Sequence, residues 1–394
     1  GYYMRISPSA QLLCNTISAC YCYISVREYR PRWKEITTMT FFENAENLEH
    51  ESIHQFYDPQ TGLKAIIAIH STALGPGAGG CRMWQYEDEA SAIRDALRLS
   101  RGMTYKNAMA GLPLGGGKAV IMTNPDYPPS DDFFRAFGRC VNSLNGLYVT
   151  AEDVGVSVDN MRLVKEVTDF VAGLPSTDGS AGGDPSPWTA DGVFLGLEAA
   201  AKHRLGADSL DGKRVAVQGV GKVGYDLCRQ LHAAGASLVI SDVNQQNLAR
   251  TRDDFGAQVV APEKILFEDV DILAPCALGA ILNENSIPDI KASVIGGAAN
   301  NQLATRQDGQ RLFDRNILYA PDYVINGGGI TSVSLEYMGD KTQADVHAQI
   351  ALIPGRLTEV FVSSDRLQTP TNVIADSMAE AIVAAAASTP APAK

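Results

Sequence analysis

Between Arg214 and Asp242 the chain runs strand, glycine-punctuated turn, helix, strand, and few folds accept that succession at that spacing. Arg214-Val-Ala-Val-Gln218 has the composition of a buried strand and leads directly into Gly219-Val220-Gly221-Lys222-Val223-Gly224-Tyr225. A helix follows through Leu227 and Leu231 to Ala234, and a second strand from Ser237 to Ile240 ends in Ser241-Asp242. In such a β-α-β unit the first glycine permits a tight turn. The second lets backbone approach a pyrophosphate, and the third lets the helix pack against the strand with its N-terminus facing the anion. A lone G-x-G-x-x-G says little. Flanking strand and helix with an acid about twenty residues on say dinucleotide binding. Asp242 can accept hydrogen bonds from a ribose 2′-hydroxyl and would repel a 2′-phosphate, which favours NAD over NADP. Arg250 lies too far along the next helix to reverse that preference, although Asp242 as a solvated turn residue stays open at this point.

Further strands are expected at 270–274, 292–295 and 317–320, followed by loops at Leu273–Cys276, Gly296–Asn301 and Asn326–Gly329. In an open parallel sheet ligands bind at the carboxyl ends of strands, so these loops, with Cys276 and Ala277 among them, are where a nicotinamide should lie. The first half reads differently. Leu63–His70 is a β-branched strand, Leu74–Gly80 a glycine loop, Ala90–Arg101 an amphipathic helix, Lys118–Met122 a strand and Asp131–Leu144 a helix. A Gly, Ser, Pro and Asp-rich loop at 175–187 separates the halves. The expectation is a two-domain α/β protein: an N-terminal α/β substrate domain and a doubly wound Rossmann domain, with a cleft between them.

Composition removes several alternatives. The 394 residues suffice for two cores, and no apolar run approaches the eighteen or so residues of a membrane span. A net charge of -12 argues against nucleic-acid and anionic-membrane partners, which need a basic face. The seven cysteines (Cys14, Cys20, Cys22, Cys81, Cys140, Cys228, Cys276) are scattered without a C-x-x-C pair, as in a reducing, cytoplasmic setting. Residues 1–38 lack both the periodicity of the remaining chain and the order of a signal peptide. Cys20-Tyr21-Cys22 has the wrong spacing for a zinc knuckle, no metal site is expected, and Met39 is the expected true start, with residues 1–38 a translated upstream region or a disordered arm.

Gly111-Leu-Pro-Leu-Gly-Gly-Gly-Lys118 invites reading as a phosphate-binding loop, but Leu112 and Ala119 occupy places that need glycine and Ser or Thr. What remains is a lysine between glycines and a strand: a snorkelling surface group, or one whose pKa is lowered by burial and by a second cation such as Lys106. Asp153 is a carboxylate able to exchange protons with an amine.

Thr72-Ala-Leu-Gly-Pro76, Gly79-Gly80 with Arg82-Met-Trp84, Met103-Thr-Tyr-Lys-Asn-Ala108, Gly115-Gly-Gly-Lys-Ala119, Phe137-Gly-Arg139 with Ser143-Leu-Asn-Gly146, Ala151-Glu-Asp-Val-Gly155, Asp184-Pro-Ser-Pro187, Ala299-Asn-Asn-Gln-Leu303 and Ala320-Pro-Asp-Tyr-Val-Ile-Asn326 resemble the Glu/Leu/Phe/Val amino-acid dehydrogenase family, its leucine dehydrogenase branch above all. The match runs in order from about Met39 to Leu335. It implies NAD-dependent, reversible deamination of an L-amino acid to a 2-oxo acid and ammonia. The position of Lys106 then holds the substrate carboxylate, Lys118 activates the attacking water, and Asp153 shuttles protons to and from nitrogen. The resemblance also assigns Thr189, Asn300 and Asn301 to nicotinamide and substrate, and Gly79 and Gly80 to the pocket wall.

Substrate choice follows the same pattern. Ala78 stands where glutamate-specific relatives place a lysine and leucine enzymes a leucine, so glutamate is unexpected and the pocket has extra room. Ala151 keeps the leucine-type pattern, and Ile330 and Val333 complete the apolar wall. Branched-chain substrates are favoured, with an aromatic amino-acid dehydrogenase or a catalytically silent NAD-binding homologue as alternatives. Gly327 and Ser332 replace an alanine and an asparagine, and the resemblance thins after Met338. The expected division is an extension at 1–38, a substrate and oligomerisation domain at 39–184, a Rossmann domain at 185–328, a helical segment at 329–388 returning to the first domain, and a tail at 389–394. Family members commonly assemble as octamers.

Overall fold

A computed structural model describes residues 50–123, 128–174 and 180–388. The expectations for residues 1–38, for Met39 and for the tail at 389–394 lie outside the described residues, as does the 175–179 part of the separating loop. The strands are β1 (Ser52–Asp58), β2 (Leu63–Ser71), β3 (Gly77–Ala78), β4 (Cys81–Trp84), β5 (Gly115–Met122), β6 (Tyr148–Val149), β7 (Arg214–Gln218), β8 (Ser237–Ser241), β9 (Gln258–Val259), β10 (Ile272–Pro275), β11 (Val294–Ile295) and β12 (Leu318–Tyr319). The α-helices are α1 (Glu89–Met109), α2 (Asp131–Ser143), α3 (Val158–Lys165), α4 (Ser186–Leu205), α5 (Lys222–Ala233), α6 (Gln245–Phe255), α7 (Arg306–Asp314), α8 (Asp322–Ile325), α9 (Gly328–Met338), α10 (Gln343–Ile350), α11 (Ile353–Leu367) and α12 (Thr371–Ala387).

The first sheet is mixed, in the order β1-β2-β5-β3-β6, with β4 also paired to β5. β2 is apolar along both faces because both are covered. Ile67 and Ile69 meet Phe133, Phe137 and Val141 of α2, while Ile66 and Ala68 meet Ala92, Ala96 and Leu97 of α1. Asp88 caps α1 by accepting from the Ser91 amide at 2.7 Å, and Ser130 caps α2.

Two elements depart from their expected limits. The helix expected to end at Arg101 continues to Met109 and carries Lys106. The glycine run expected as loop is strand from Gly115 onward. A Cβ on Gly115 would lie 1.9 Å from the Ser71 carbonyl oxygen, and one on Gly116 would lie 2.0 Å from Thr104 Oγ1. These glycines let β5 run flush beneath α1.

The second sheet is wholly parallel in the order β12-β11-β10-β7-β8-β9, the doubly wound arrangement with its switch point between β7 and β10. Val215, Val217, Leu238, Ile240, Ile272 and Ala274 point to one core, and Ala216, Val239 and Leu273 to the other. Helices beyond Met338 contact α1: Tyr105 donates to Glu380 Oε1 at 2.7 Å, and Gln349 donates to the Ala110 carbonyl at 2.8 Å. Glu336 of α9 accepts from the amides of Gly173 and Leu174, both at 2.9 Å. No helix among the described residues is long and apolar enough to cross a membrane.

Candidate active site

Lys118 lies mid-way along β5, paired with Ala68 of β2 and only 6% exposed. Its ammonium donates to Asp153 Oδ2 in a very short ion pair. Burial pushes the Asp153 carboxyl up, but the charge and hydrogen bond of Lys118, then the charge of Arg82, hold it below the usual carboxylate range. Arg82 Nε is 3.5 Å from the same oxygen, and Asp95, 3.1 Å from Arg82 Nη1, braces the guanidinium. Tyr86 donates to Asp95 at 2.7 Å.

Lys106 shares this electrostatic environment. Burial and then the Lys118 charge bring its pKa down to about 8, opposed by the carboxylates of Asp322 and Asp153. The Lys118 charge thus bears on Lys106. Asp322 is fixed in turn by the amides of Gln302 at 3.0 Å and Tyr323 at 2.7 Å.

Gly79 and Gly80 form the crossing between β3 and β4. A Cβ on Gly79 would lie 2.0 Å from the Gly117 carbonyl oxygen, and one on Gly80 would lie 2.6 Å from the Glu152 carbonyl oxygen and 2.9 Å from Asp153 Cβ. Only glycine admits Asp153 so close to β5. Gly80→Ala is therefore expected to displace Asp153 from Lys118 and lower kcat/KM about a hundredfold, as an ångström-scale misplacement does. Steady-state kinetics with a thermal melt checks this, and a loss under threefold would mean that the close approach does not limit the reaction.

Ala78, Leu114, Val149 and Ala172 form a buried apolar cluster against which Val333 and Tyr337 of α9 pack. Tyr337 is half-buried against the same cluster. A cavity of about 330 Å³ adjoins it, lined by Ala151, Asp153, Val156, Gly173, Pro185 and Val333. Ile330 lies half-buried one turn before Val333 on α9. A larger hollow of about 860 Å³ lies on the far side of Arg82, beside Trp84 and Tyr86, and does not include Lys118 or Asp153.

In the second half Gly219 has φ +89°, a left-handed turn, and a Cβ on Gly224 would lie 2.0 Å from the Gly219 carbonyl oxygen. Gly221 precedes α5 without a side-chain cap, and a Cβ there would meet nothing within 4 Å. Tight turn, open helix mouth and close helix packing are what a dinucleotide seat needs. Val220 is buried in the core beneath it and Val223 packs on that core; Tyr225 donates to Asp254 at 2.7 Å. Asp242 accepts from the Val220 amide through Oδ2 and the Asn244 amide through Oδ1, both at 2.8 Å, so it is a structural partner of the loop rather than a freely solvated turn residue. The Cys276 amide donates to the Gln218 carbonyl at 2.7 Å, and Ala277 lies against Gly219. Asn300 Oδ1 accepts from Asn326 at 2.8 Å, Asn301 has φ +52°, and Thr189 Oγ1 donates to the Pro185 carbonyl at 2.9 Å.

Sequence reading missed Arg82, Asp322, Leu114, Val149, Ala172 and Tyr337 as site residues. Arg82 and Asp322 stand inside motifs already singled out, and a charged residue two places past a glycine pair or directly after a proline was the available signal. The apolar four carry no local mark.

Two family models match the chain: Glu/Leu/Phe/Val dehydrogenase, dimerisation domain, over residues 50–169, and Glutamate/Leucine/Phenylalanine/Valine dehydrogenase over 242–351. The leucine dehydrogenase of Bacillus subtilis (strain 168) is 50% identical over 87% of this chain and 93% of that relative. The valine dehydrogenase of Streptomyces virginiae is 50% identical over 74% of this chain and 82% of that relative. The crystal structure of L-tryptophan dehydrogenase from Nostoc punctiforme superposes with a TM-score of 0.78 at 43% identity, covering 88% of this chain and 99% of that one. The chain belongs to the Glu/Leu/Phe/Val dehydrogenase family.

Proposed function

We propose that this protein catalyses the NAD-dependent, reversible oxidative deamination of an apolar L-amino acid, of leucine dehydrogenase type, giving the 2-oxo acid, ammonia and NADH. The observation that carries the reading is the Lys118–Asp153 pair beside Lys106, set against an apolar wall of Ala78, Val149 and Val333. Lys106 receives the substrate carboxylate. Asp153, held as a carboxylate, takes a proton from the substrate nitrogen and returns it to departing ammonia. Lys118, after its ammonium has released a proton to solvent, takes a proton from the water that attacks the imine carbon, and the charge it regains offsets the developing oxyanion. Bound NAD supplies the hydride acceptor. The Gly219–Gly224 loop with Tyr225, Asp242, Thr189, Cys276 and Ala277 would hold it, Asn300 and Asn301 facing the reacting end.

The organisation proposed with this function is a substrate and oligomerisation domain to residue 184, a Rossmann domain at 185–328 and a helical segment at 329–388 returning to the first. The contacts of Glu380, Gln349 and Glu336 support that return. We also infer a cytoplasmic homo-oligomer, octameric by family resemblance, without nucleic-acid or membrane partners.

An unpaired glutamate carboxylate against the apolar wall would be costly, so glutamate should be a poor substrate. NADH formation at alkaline pH, measured with leucine, valine, isoleucine, methionine, phenylalanine, tryptophan and glutamate, should rank branched-chain substrates first and glutamate last. Glutamate leading, or no turnover on any of them, would overturn the proposal. Small Ala78 supports a second reading, an aromatic substrate, and phenylalanine or tryptophan leading would establish it. Discrimination by pocket volume alone is expected to stay within about 10- to 200-fold.

A further inference from the structure

We propose that Lys222 is the cationic contact for the dinucleotide's pyrophosphate and that Asp184 holds its ammonium in reserve, so that an Asp184–Lys222 ion pair exchanges for a Lys222–pyrophosphate pair when the cofactor enters. The inference rests on the reading of the Gly219–Gly224 loop as the dinucleotide's seat.

Lys222 is the first residue of α5, directly after the uncapped Gly221 where the helix mouth is open. Its Nζ is 2.9 Å from Asp184 Oδ2, and the two side chains are 77% and 45% exposed, so the pair is free to part. Asp184 cannot follow the lysine, because its Oδ1 accepts from the Ser186 amide at 2.9 Å and ties it to the start of α4. Both residues line one groove of about 510 Å³ with Val220, Gly221, Asn247 and Arg250. Arg250 is a poorer candidate for the exchange. Its guanidinium lies 3.7 Å over the Tyr225 ring and 3.8 Å from Asp254.

Asp226 also lines the groove but is paired with Arg229 at 3.5 Å, and a further charge acting on the pair is Glu152, which follows Ala151 on the amino-acid side. Burial and then the Asp184 charge push its carboxyl up, and Lys222 pulls it down. Lys222 thus sits between two acids that would each repel a pyrophosphate. An anion that captures the ammonium gains a cation and leaves Asp184 its hydrogen bond to α4. The exchange costs little because exposed pairs are weak.

The test is calorimetric titration of ADP-ribose and adenosine into wild type, Asp184→Asn, Lys222→Met and the double variant, at low and at high salt. Asparagine can still accept from the Ser186 amide, so the start of α4 is kept. Asp184→Asn should tighten ADP-ribose about two- to fivefold at low salt, with the gain lost at high salt, as screening requires. Lys222→Met should weaken ADP-ribose by a similar factor, the tightening should at least halve in its background, and adenosine should not respond to any variant. Equal weakening by both single variants would show a fixed pair that orients the site, and equal tightening with or without Lys222 would show plain repulsion by Asp184. Either overturns the exchange while leaving the seat in place. Failure of the wild type to bind ADP-ribose would overturn the seat itself.

Discussion

Lys118→Ala is expected to lower turnover by about 10²- to 10⁴-fold, the usual worth of a positioned acid–base group, while NADH still binds. Lys118 lies on β5 of the first sheet, whereas the glycine turn lies on the second, so the cofactor seat loses no contact. The change acts twice at the reacting centre. It removes the group that handles water and the oxyanion, and it removes the charge that opposes the effect of burial on Asp153. With only Arg82 at 3.5 Å and the Val154 amide left to hold the carboxylate, Asp153 binds its proton more readily and is less often the carboxylate that deamination needs. Because the two act as one unit, Lys118→Ala with Asp153→Asn should cost little more than either alone. Steady-state kinetics with NADH fluorescence titration measures both. A variant with kcat within tenfold of wild type would take the water-activating role away from Lys118.

The residues behind that expectation are locally marked in the sequence. The β7-α5-β8 unit lies within a residue or so of its expected limits for the same reason: a fully buried parallel strand is a continuous apolar run, and its glycines each answer a backbone requirement. β11 and β12 fall inside the strands expected at 292–295 and 317–320, whereas β3 and β6, two residues each, are too short to show a period and exist because neighbours pair with them. The expected α1 is too short because Gly102 and the polar Thr104, Lys106 and Asn107 interrupt its apolar stripe; Thr104 and Asn107 are buried and bonded across to His70 and to the Gly115 carbonyl. Tertiary partners thus replace apolar periodicity where α1 turns from support into site. The same cause hides the side-chain pocket. Leu114, Val149, Ala172 and Tyr337 come from separate parts of the chain, and only the packing of α9 on the first sheet makes them one wall.

Affinity for the amino acid should fall as pH rises through about 8, the value to which burial brings Lys106. Below that pH the ammonium grips the substrate carboxylate; above it the neutral amine cannot, and KM in the free enzyme should climb toward tenfold per further pH unit. The sign is opposite to the demand of the chemistry, which releases a proton and is driven by base, so kcat/KM for deamination should pass through a maximum rather than rise steadily. Lys106→Gln removes the charge at every pH. It should raise KM by about a hundredfold or more, the cost of leaving one member of a buried charge pair unmatched, and should flatten the rise of KM near pH 8. Asp322→Asn gives the finer test. Its carboxylate raises the Lys106 pKa, while Lys118 lowers it and Asp153 raises it, so its loss should start the climb in KM at lower pH and leave kcat at neutral pH less affected. Asp322→Glu should restore part of the wild-type profile. Profiles of KM that coincide for wild type and Asp322→Asn would show that Asp322 only braces the Gln302 loop, and a KM unchanged in Lys106→Gln would remove Lys106 from the carboxylate site.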